Sequence, residues 1–293
     1  MTTDGERVAL AAFVTYSVLA GGNAVGIRFS NRELEPLWGA GLRFGLAAAL
    51  LLAIMAVLKL PFPRGRALTG SVVYGLFNFG ASFALIYYGL VRVHAGLGQI
   101  LLALVPLATL LLAVLWRQER VRLAAVLGTL LALAGIALMS RNPLRESVPL
   151  TSVLAVVGGA MCFGQALVLV RRFPRVHPVT MNAVGMAAGA GVLLCASLVA
   201  RDPWVLPDRM ETWLAIGFLV LVGSVAVFLL YLVVLRYWMA TRAAYGFVLI
   251  PFVTVLLSAW LDDEPITLGL LLGGLLVLVG VYVGALHPGT TGR

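Results

Sequence analysis

The sequence has very little charge. Only 11% of its 293 residues are Asp, Glu, Lys or Arg, whereas 61% are hydrophobic, and the mean hydropathy is +1.03. Soluble globular domains are about 25% charged and roughly 45 to 50% apolar, so this composition excludes a soluble globular protein and a disordered chain. Because the apolar residues run along the whole length, no segment remains for a soluble catalytic domain of about 100 residues. The sequence predicts a protein embedded in a lipid bilayer.

Cysteine and histidine are also scarce, with two and three residues. Cys162 and Cys195 lie within apolar runs, where a free cysteine behaves as a small hydrophobe. We expect no disulfide, no metal site and no cofactor. Within the apolar runs there is also no His/Asp/Glu cluster or Ser/Lys pair of the kind that a catalytic centre needs. The chain is therefore not expected to be an enzyme; an intramembrane enzyme or a structural subunit is the alternative from a different class.

The formal net charge of +9 does not indicate nucleic-acid binding, because the basic residues occupy short gaps between apolar runs rather than one face. The expected partners are the lipid bilayer and a small-molecule substrate. Small residues at helical spacing permit close helix packing, either within the chain or at the face of a homodimer. These stripes are Gly185, Gly189 and Ala190, and Gly269, Gly273 and Gly274.

Ten apolar runs are long enough to be membrane-spanning helices, which need about 20 residues each. They cover approximately residues 8–27, 36–58, 67–90, 93–116, 123–139, 149–170, 178–200, 213–235, 243–261 and 266–286. With a cytoplasmic N-terminus, 13 Lys and Arg residues fall on the cytoplasmic side and 7 on the other. The positive-inside rule therefore predicts that both termini are cytoplasmic.

The sequence repeats itself. A shift of 145 residues aligns several uncommon residues: Pro106 with Pro251, Thr109 with Thr254, Glu119 with Glu264, Leu123 with Leu268, Gly128 with Gly273, and Gly135 with Gly280. A shift of 142 aligns Asn23 with Gln165. The chain is predicted to contain two five-helix repeats, residues 1–146 and 147–293. Because five crossings is an odd number, the second repeat must be inverted, which is typical of secondary transporters.

Two segments carry a family resemblance. Leu104-Val105-Pro106 leads to Gln118-Glu119, and Leu249-Ile250-Pro251 leads to Asp263-Glu264-Pro265. This pair resembles the doubled signature of the EamA-type drug/metabolite transporter superfamily. Within that superfamily, the sequence as a whole is most similar to bacterial aromatic amino acid exporters of the YddG kind. The resemblance implies ten helices around a central cavity. It also implies export of amino acids, aromatic or apolar, or of related neutral metabolites across the bacterial inner membrane. Export of other drugs or metabolites is the alternative.

Arg43 is the one ionisable residue clearly inside a predicted span, seven residues beyond Pro36. Placing a charged side chain at mid-bilayer costs roughly 2.5 to 3.5 kcal/mol, so such residues usually have a function. A guanidinium can donate two parallel hydrogen bonds to a carboxylate. Arg43 is therefore a candidate substrate ligand. The structural alternative is that it reaches the outer interface or pairs with Glu33 or Glu35.

Carboxylates are missing from the middle of every predicted span. Proton-coupled exporters of organic cations depend on such a group, and exchangers of sugar phosphates need several buried cations. One buried arginine and no buried carboxylate instead favour a neutral or zwitterionic substrate that moves without a pH gradient.

Polar and aromatic side chains within the spans complete the candidate binding site. An amide offers donors and acceptors to an amino acid or bridges two helices. Asn23 and Gln165 are preferred because the repeat makes them equivalent, so they should line opposite walls of one cavity. The other polar candidates are Asn78, Ser82, Gln99, Asn182 and Ser224. The aromatic candidates are Phe79, Phe83 and Tyr245, and the wider aromatic set adds Tyr16, Trp38, Tyr87 and Trp238.

Pro106 and Pro251 fall inside the predicted fourth and ninth spans, where each removes a backbone hydrogen bond. Matching bends there would serve as hinges for alternating access, or as static kinks. Glu119 and Glu264 occupy equivalent span ends and are expected to cap the N-termini of neighbouring helices.

Overall fold

The computed structural model describes residues 4–118, 123–140, 148–237 and 246–283, and the regular elements in these ranges are all helical. The helices are α1 (Asp4–Ser30), α2 (Pro36–Val57), α3 (Arg66–Gly75), α4 (Ser82–Leu90), α5 (Ala95–Leu102), α6 (Val105–Leu115), α7 (Leu123–Ser140), α8 (Leu150–Val170), α9 (Pro178–Ala200), α10 (Met210–Gly217), α11 (Val227–Tyr237), α12 (Gly246–Leu261) and α13 (Leu268–Val281). Two π-helical segments, π1 (Leu76–Ala81) and π2 (Phe218–Ala226), join α3 to α4 and α10 to α11.

In the described ranges, seven helical segments are long and apolar enough to cross a membrane. They are Gly5–Ser30, Pro36–Val57, Arg66–Leu90, Ala95–Leu115, Leu150–Val170, Pro178–Ala200 and Met210–Tyr231. Three shorter apolar helices are Val126–Leu138, Leu249–Leu261 and Leu268–Val281. The architecture is that of a polytopic membrane protein. Each of the ten apolar runs in the sequence overlaps one of these segments, but a count of ten crossings stays a prediction.

Local sequence explains where several helices begin and end. Pro36 and Pro178 lie in the first turns of α2 and α9, where the missing N–H costs no helical hydrogen bond. The side chain of Thr267 accepts a hydrogen bond from the backbone N–H of Leu270 at 3.1 Å and caps α13. At the other end of α9, Arg201 adopts a left-handed conformation that stops the helix.

Pro106 lies within the helical segment Ala95–Leu115, as predicted, but at the start of α6 rather than inside one continuous α-helix. Residues 103–104 interrupt the predicted fourth span, and Pro106 is in the first turn of α6. A proline is well accommodated there, because a first-turn N–H has no partner within its helix. Pro251, by contrast, lies inside α12 and is buried. The two equivalent prolines therefore differ: one follows a break between helices, and the other sits within a continuous helix.

Helices α7 and α13 pack through glycines. A Cβ on Gly135 would lie 2.5 Å from the carbonyl oxygen of Gly273, and a Cβ on Gly280 would lie 2.5 Å from that of Gly128. Along the contact, residue numbers rise in one helix as they fall in the other. The two helices are therefore antiparallel where they touch.

The small-residue stripe on α9 is also used inside the chain. Gly185 lies against Gly75 of α3, where a Cβ on Gly75 would overlap the Gly185 backbone. One turn later, Gly189 packs against Phe79 and Gly80 of π1. These contacts place the stripe within the bundle rather than on a face available to a second copy, and a homodimer stays a prediction without support from the stripe.

Loops gather at two ends of the bundle. At the first, Asp262 accepts a hydrogen bond from Arg28 Nε at 2.7 Å and another from Arg32. The indole Nε1 of Trp38 donates to the carbonyl of Val205 at 2.7 Å at the same end. We call this the Arg28 end. It brings together segments that the ten-span prediction places on one side of the membrane.

The second end is formed where α6 meets α8. The Arg172 guanidinium carbon lies 4.4 Å from the ring centroid of Trp116, and Gln118 Nε2 donates to the Val168 carbonyl at 3.3 Å. We call this the Trp116 end. The ten-span prediction also assigns these segments to a common side, opposite the Arg28 end.

Candidate functional site

Arg43 lies at the centre of a buried polar cluster. The residue is 2% exposed. Its Nε donates to Ser224 Oγ at 3.1 Å, and its Nη2 donates to Asn23 Oδ1 at 3.3 Å and to the Gly223 carbonyl at 3.5 Å. These partners come from α1 and π2, so the Arg43 cluster joins both halves of the chain.

The contacts of Arg43 differ from the predicted pairing with Glu33 or Glu35. Its side chain is buried, and within the described ranges its hydrogen bonds go to neutral groups. Glu35 is exposed, and Glu33 accepts from the backbone N–H of Arg209 at 3.2 Å. A hydrogen bond from Thr212 is the main reason that the pKa of Glu33 lies below its ordinary value, and the bond from the Arg209 backbone adds to it.

Segment π2 shapes the second-half side of the Arg43 cluster. Ser224 Oγ donates to the carbonyl of Leu219, five residues earlier, at 2.8 Å while it accepts from Arg43. The Gly223 carbonyl accepts from Asn23 Nδ2 at 3.5 Å. A Cβ on Gly223 would overlap Asn23 Oδ1, so only glycine permits this approach. Short π-helical segments inside α-helices occur frequently at functional sites.

Aromatic rings cover one side of the guanidinium. The Arg43 guanidinium carbon lies 5.0 Å from the ring centroid of Phe44 and 5.2 Å from that of Phe83, within cation–π range. Phe44 also contacts Phe79, with centroids 5.3 Å apart, and Phe83 contacts Phe163 at 5.5 Å. Two predicted aromatic candidates, Phe79 and Phe83, are therefore within or next to the Arg43 cluster.

The remaining polar candidates lie elsewhere and mostly bond to their own helices. Ser82 Oγ donates to the carbonyl of Asn78, and both residues are buried at π1. Asn182 Nδ2 donates to the carbonyl of Pro178, one turn earlier in α9, at 3.0 Å. Gln99 is half-buried in α5. No hydrogen bond of the described residues links these four side chains to Arg43.

Gln165 does not meet Asn23. Its Oε1 accepts from Trp116 Nε1 at 3.2 Å near the Trp116 end. Asn23 lies five residues before Arg28 in α1, or about 7.5 Å along the helix from the Arg28 end. The prediction that the two amides face each other across a cavity is not met in this structure.

Glu264 holds the N-terminus of α5 at the Arg28 end. It accepts from the backbone N–H of Ala95 at 2.7 Å and of Gly96 at 3.2 Å, which confirms its predicted capping role. Arg28 Nε lies 3.1 Å away and His94 Nδ1 lies 3.4 Å away. Burial alone would raise the pKa of Glu264. The close approach of His94, the hydrogen bonds from the two N–H groups and the Arg28 charge outweigh burial and lower the pKa below its ordinary value of 4.5.

A concave region away from the Arg43 cluster is apolar. A half-open crevice of about 190 Å³ lies beside Pro251 and is lined by side chains such as Ile100, Phe252 and Leu275. It contains none of the candidate polar residues. Within the described ranges, no group of three or more His, Cys, Asp or Glu side chains could hold a metal ion. Three predicted positions lie outside the described residues, namely Glu119, Trp238 and Tyr245.

Sequence reasoning missed Gly223 and Phe44 as members of the Arg43 cluster. One glycine among the 32 in the chain and a phenylalanine in an apolar run give no local signal. Ser224 was among the polar candidates, and the shift of 142 residues aligns it with Ser82. Both serines fall at the π-helical segments, which no hydrophobic pattern predicted.

Comparison with known proteins identifies relatives along the whole chain. A family model described as the EamA-like transporter family matches residues 7–141 and again residues 150–285. An uncharacterized transporter of Archaeoglobus fulgidus is 27% identical over 286 residues, which cover 94% of this chain and 97% of its own. The uncharacterized inner membrane transporter YedA of Escherichia coli (strain K12) is 28% identical over 260 residues, covering 88% and 83%. A solved crystal structure shares the fold with a TM-score of 0.65 at 20% identity and covers 95% of this chain and 96% of that chain.

Proposed function

This chain belongs to the EamA-like transporter family, and on that premise we propose that it is a secondary transporter that exports amino acids by alternating access. The substrates are aromatic or apolar amino acids or related neutral metabolites. This narrower assignment rests on the chain's similarity to aromatic amino acid exporters and on its lack of mid-span carboxylates. Export of other drugs or metabolites is the second candidate within the same class.

The proposed architecture is a pair of inverted five-helix repeats, residues 1–146 and 147–293. Two observations support it. The family model matches the chain twice, once in each half. Helices α7 and α13, which the 145-residue shift makes equivalent, are antiparallel where Gly135 meets Gly273. Equivalent helices run in opposite directions in an inverted repeat.

The observation that carries the proposal is the Arg43 cluster. It is buried within apolar helices and is built from Arg43 and Asn23 of the first half and from Gly223 and Ser224 of the second. Secondary transporters with repeats bind substrate at the interface between the repeats. A polar cluster shared by both halves has the composition and placement that such a site requires.

We further propose that the Arg28 end faces the periplasm and that both termini are cytoplasmic in the inner membrane. The 13 to 7 distribution of basic residues supports this orientation. The relative YedA is named an inner membrane transporter, which favours the same membrane here.

Transport by the purified protein tests the proposal. Proteoliposomes are loaded with radiolabelled phenylalanine, leucine, lysine or glutamate, and efflux is followed with and without a pH gradient. We expect saturable efflux of phenylalanine and leucine down their own gradients, with no requirement for the pH gradient because no mid-span carboxylate carries a proton.

Two controls distinguish transport by the protein from passive leakage and from exchange. Protein-free vesicles measure passive leakage of these apolar amino acids, and an excess of unlabelled solute outside tests for exchange. If none of the four amino acids leaves faster than from protein-free vesicles, the amino acid assignment is wrong. Efflux of an unrelated drug under the same conditions would favour the second candidate.

A further inference from the structure

The Arg43 cluster has more hydrogen-bond donors than acceptors. Nε and Nη2 of Arg43 have partners, but Nη1 is buried without one. The hydroxyl of Tyr87, on α4, is also buried and interacts with the Arg43 guanidinium, but it has no partner at full hydrogen-bond geometry. Two donor groups from different helices therefore interact with each other, but neither has an acceptor at full hydrogen-bond geometry. Buried polar groups almost always have a partner, so this pair indicates an acceptor that binds here.

The described residues provide no anion to Arg43. Glu33 is bonded at Arg209, and Asp262 and Glu264 are bonded at Arg28. The oxygens that reach the guanidinium belong to neutral groups of Asn23, Gly223 and Ser224. A cation out of water without a counter-charge is strongly unfavourable. The missing acceptor is thus best supplied by an anion, and the planar fork of Arg suits a carboxylate.

The side chains around Arg43 also indicate which other chemical groups the ligand contains. Phe44 and Phe83 lie beside the guanidinium, and Phe79 and Phe163 extend the aromatic surface. This surface fits an apolar or aromatic body. An α-ammonium group, by contrast, finds no carboxylate among the described neighbours of Arg43 and would lie near a positive charge.

We propose that Arg43 and Tyr87 bind the carboxylate of the substrate, and that the substrate class is monocarboxylates with an aromatic or apolar body, for which an α-amino group is not required. This inference rests on the proposed transport function and deepens it. Amino acids satisfy the requirement through their carboxylate, but so do aromatic acids that have no amine. A dianion is disfavoured because the cluster contains one cation.

Four probes with the same phenyl body test the proposal. Phenylalanine carries both charges, 3-phenylpropionate only the carboxylate, and phenylalaninamide and phenethylamine only the ammonium. Binding to the detergent-solubilised full chain is measured by calorimetry. We expect 3-phenylpropionate and phenylalanine to bind, and the amide and the amine to bind at least about 10-fold more weakly, because each lost hydrogen bond between charged groups reduces affinity by roughly 10- to 100-fold.

Two variants assign the carboxylate to its ligands. Arg43→Gln should weaken binding of 3-phenylpropionate about 10- to 100-fold, and Tyr87→Phe about 10-fold, while binding of phenethylamine changes little. The matched controls are Arg92→Gln and Tyr88→Phe. Arg92 is exposed, and Tyr88, adjacent to Tyr87 in the sequence, is 55% exposed. Both should bind 3-phenylpropionate like the wild type.

The outcomes separate this inference from the transport proposal. Equal binding of the amide or the amine, no binding of either carboxylate, or wild-type affinity in Tyr87→Phe would each overturn the carboxylate site. If Arg43→Gln does not fold, the probe series on the wild type and Tyr87→Phe still decide the question. If phenylalaninamide leaves the vesicles as fast as phenylalanine, the transport proposal stands and the carboxylate site is rejected. If 3-phenylpropionate binds but no solute is exported, the carboxylate site stands and the transport proposal is rejected.

Discussion

Gly135 lies so close to Gly273 that a Cβ on Gly135 would come within 2.5 Å of the Gly273 carbonyl oxygen. The relationship is reciprocal. The 145-residue shift turns Gly135 into Gly280 and Gly273 into Gly128, and a Cβ on Gly280 would come equally close to the Gly128 carbonyl. Exchanging the two halves of the chain thus reproduces the contact. An approximate two-fold axis between α7 and α13 explains this reciprocity, as the proposed inverted repeat requires.

The first prediction concerns this contact. Gly135→Ala places a methyl group against backbone, which cannot move as a side-chain end does, so overpacking should cost about 1 to 3 kcal/mol. We expect a lower melting temperature for the purified protein. Gly191→Ala is the matched control, since a Cβ on Gly191 meets nothing within 4 Å. That change should leave stability unchanged or raise it slightly, because alanine favours helix. Equal effects of the two substitutions would contradict the close contact.

The second prediction is a pH dependence of stability at Glu264. Since its folded pKa is lowered, the ionised carboxylate contributes stability fully at pH values above the ordinary 4.5, and this contribution is lost as the pH falls through the folded pKa. Glu264→Gln should therefore lower the free energy of unfolding by about 1 to 3 kcal/mol at pH 7. The difference from the wild type should shrink below pH 4.5 in a series of melting curves.

Glu211→Gln is the control for this series. Glu211 lies at the same end, 3.5 Å from Arg32, but its side chain is 64% exposed, and exposed ion pairs contribute little. Its replacement should change the melting temperature only slightly at any pH. If Glu264→Gln were destabilised by the same amount at pH 3.5 as at pH 7, the charge of Glu264 would not be the source of the stabilisation.

The third prediction concerns orientation. Single cysteines, in a chain with Cys162 and Cys195 replaced by serine, are placed in residues 171–177 and in residues 202–208. The balance of basic residues predicts labelling of the first loop only from the cytoplasm and of the second only from the periplasm. A membrane-impermeant thiol reagent applied to intact cells and to inverted vesicles measures both. The opposite pattern would invert the proposed topology, and labelling of one loop from both sides would indicate dual insertion.

Some parts of this molecule were predictable because the signal is local. Ten apolar runs, a lone charge at Arg43 and an acidic residue at a helix junction are each evident in a short stretch of sequence. The partners of Arg43 were not, because Gly223 and Ser224 are about 180 residues away. Their contact with Arg43 depends on how α2 is rotated and on the local π-helical geometry of π2, neither of which changes the hydrophobic pattern.

The failed pairing of Asn23 with Gln165 has a geometric reason. In the proposed inverted repeat, a residue near one end of its repeat has its equivalent near the opposite end, and only residues at the midplane meet their equivalents. Asn23 lies near the Arg28 end, whereas Gln165 bonds to Trp116 at the other. The repeat in the sequence aligns Asn23 with Gln165, but it carries no information on how deep each residue lies in the membrane.

The last prediction uses this difference. Asn23 accepts from Arg43 Nη2 and approaches the Gly223 carbonyl, so Asn23→Ala removes a partner of the buried cation. A lost hydrogen bond to a charged group is worth about 1.5 to 3 kcal/mol, so transport should fall roughly 10-fold or more. Gln165→Ala is the matched control: the same type of side chain is truncated, but its bond goes to Trp116 rather than to Arg43, and transport per folded molecule should be preserved. Efflux and melting temperature are measured on the same preparations, because a structural role for Asn23 would lower stability while leaving efflux per folded molecule intact. An equal loss of efflux in both variants would mean that the substrate path reaches Gln165 as well, and wild-type efflux in Asn23→Ala would remove Asn23 from the site.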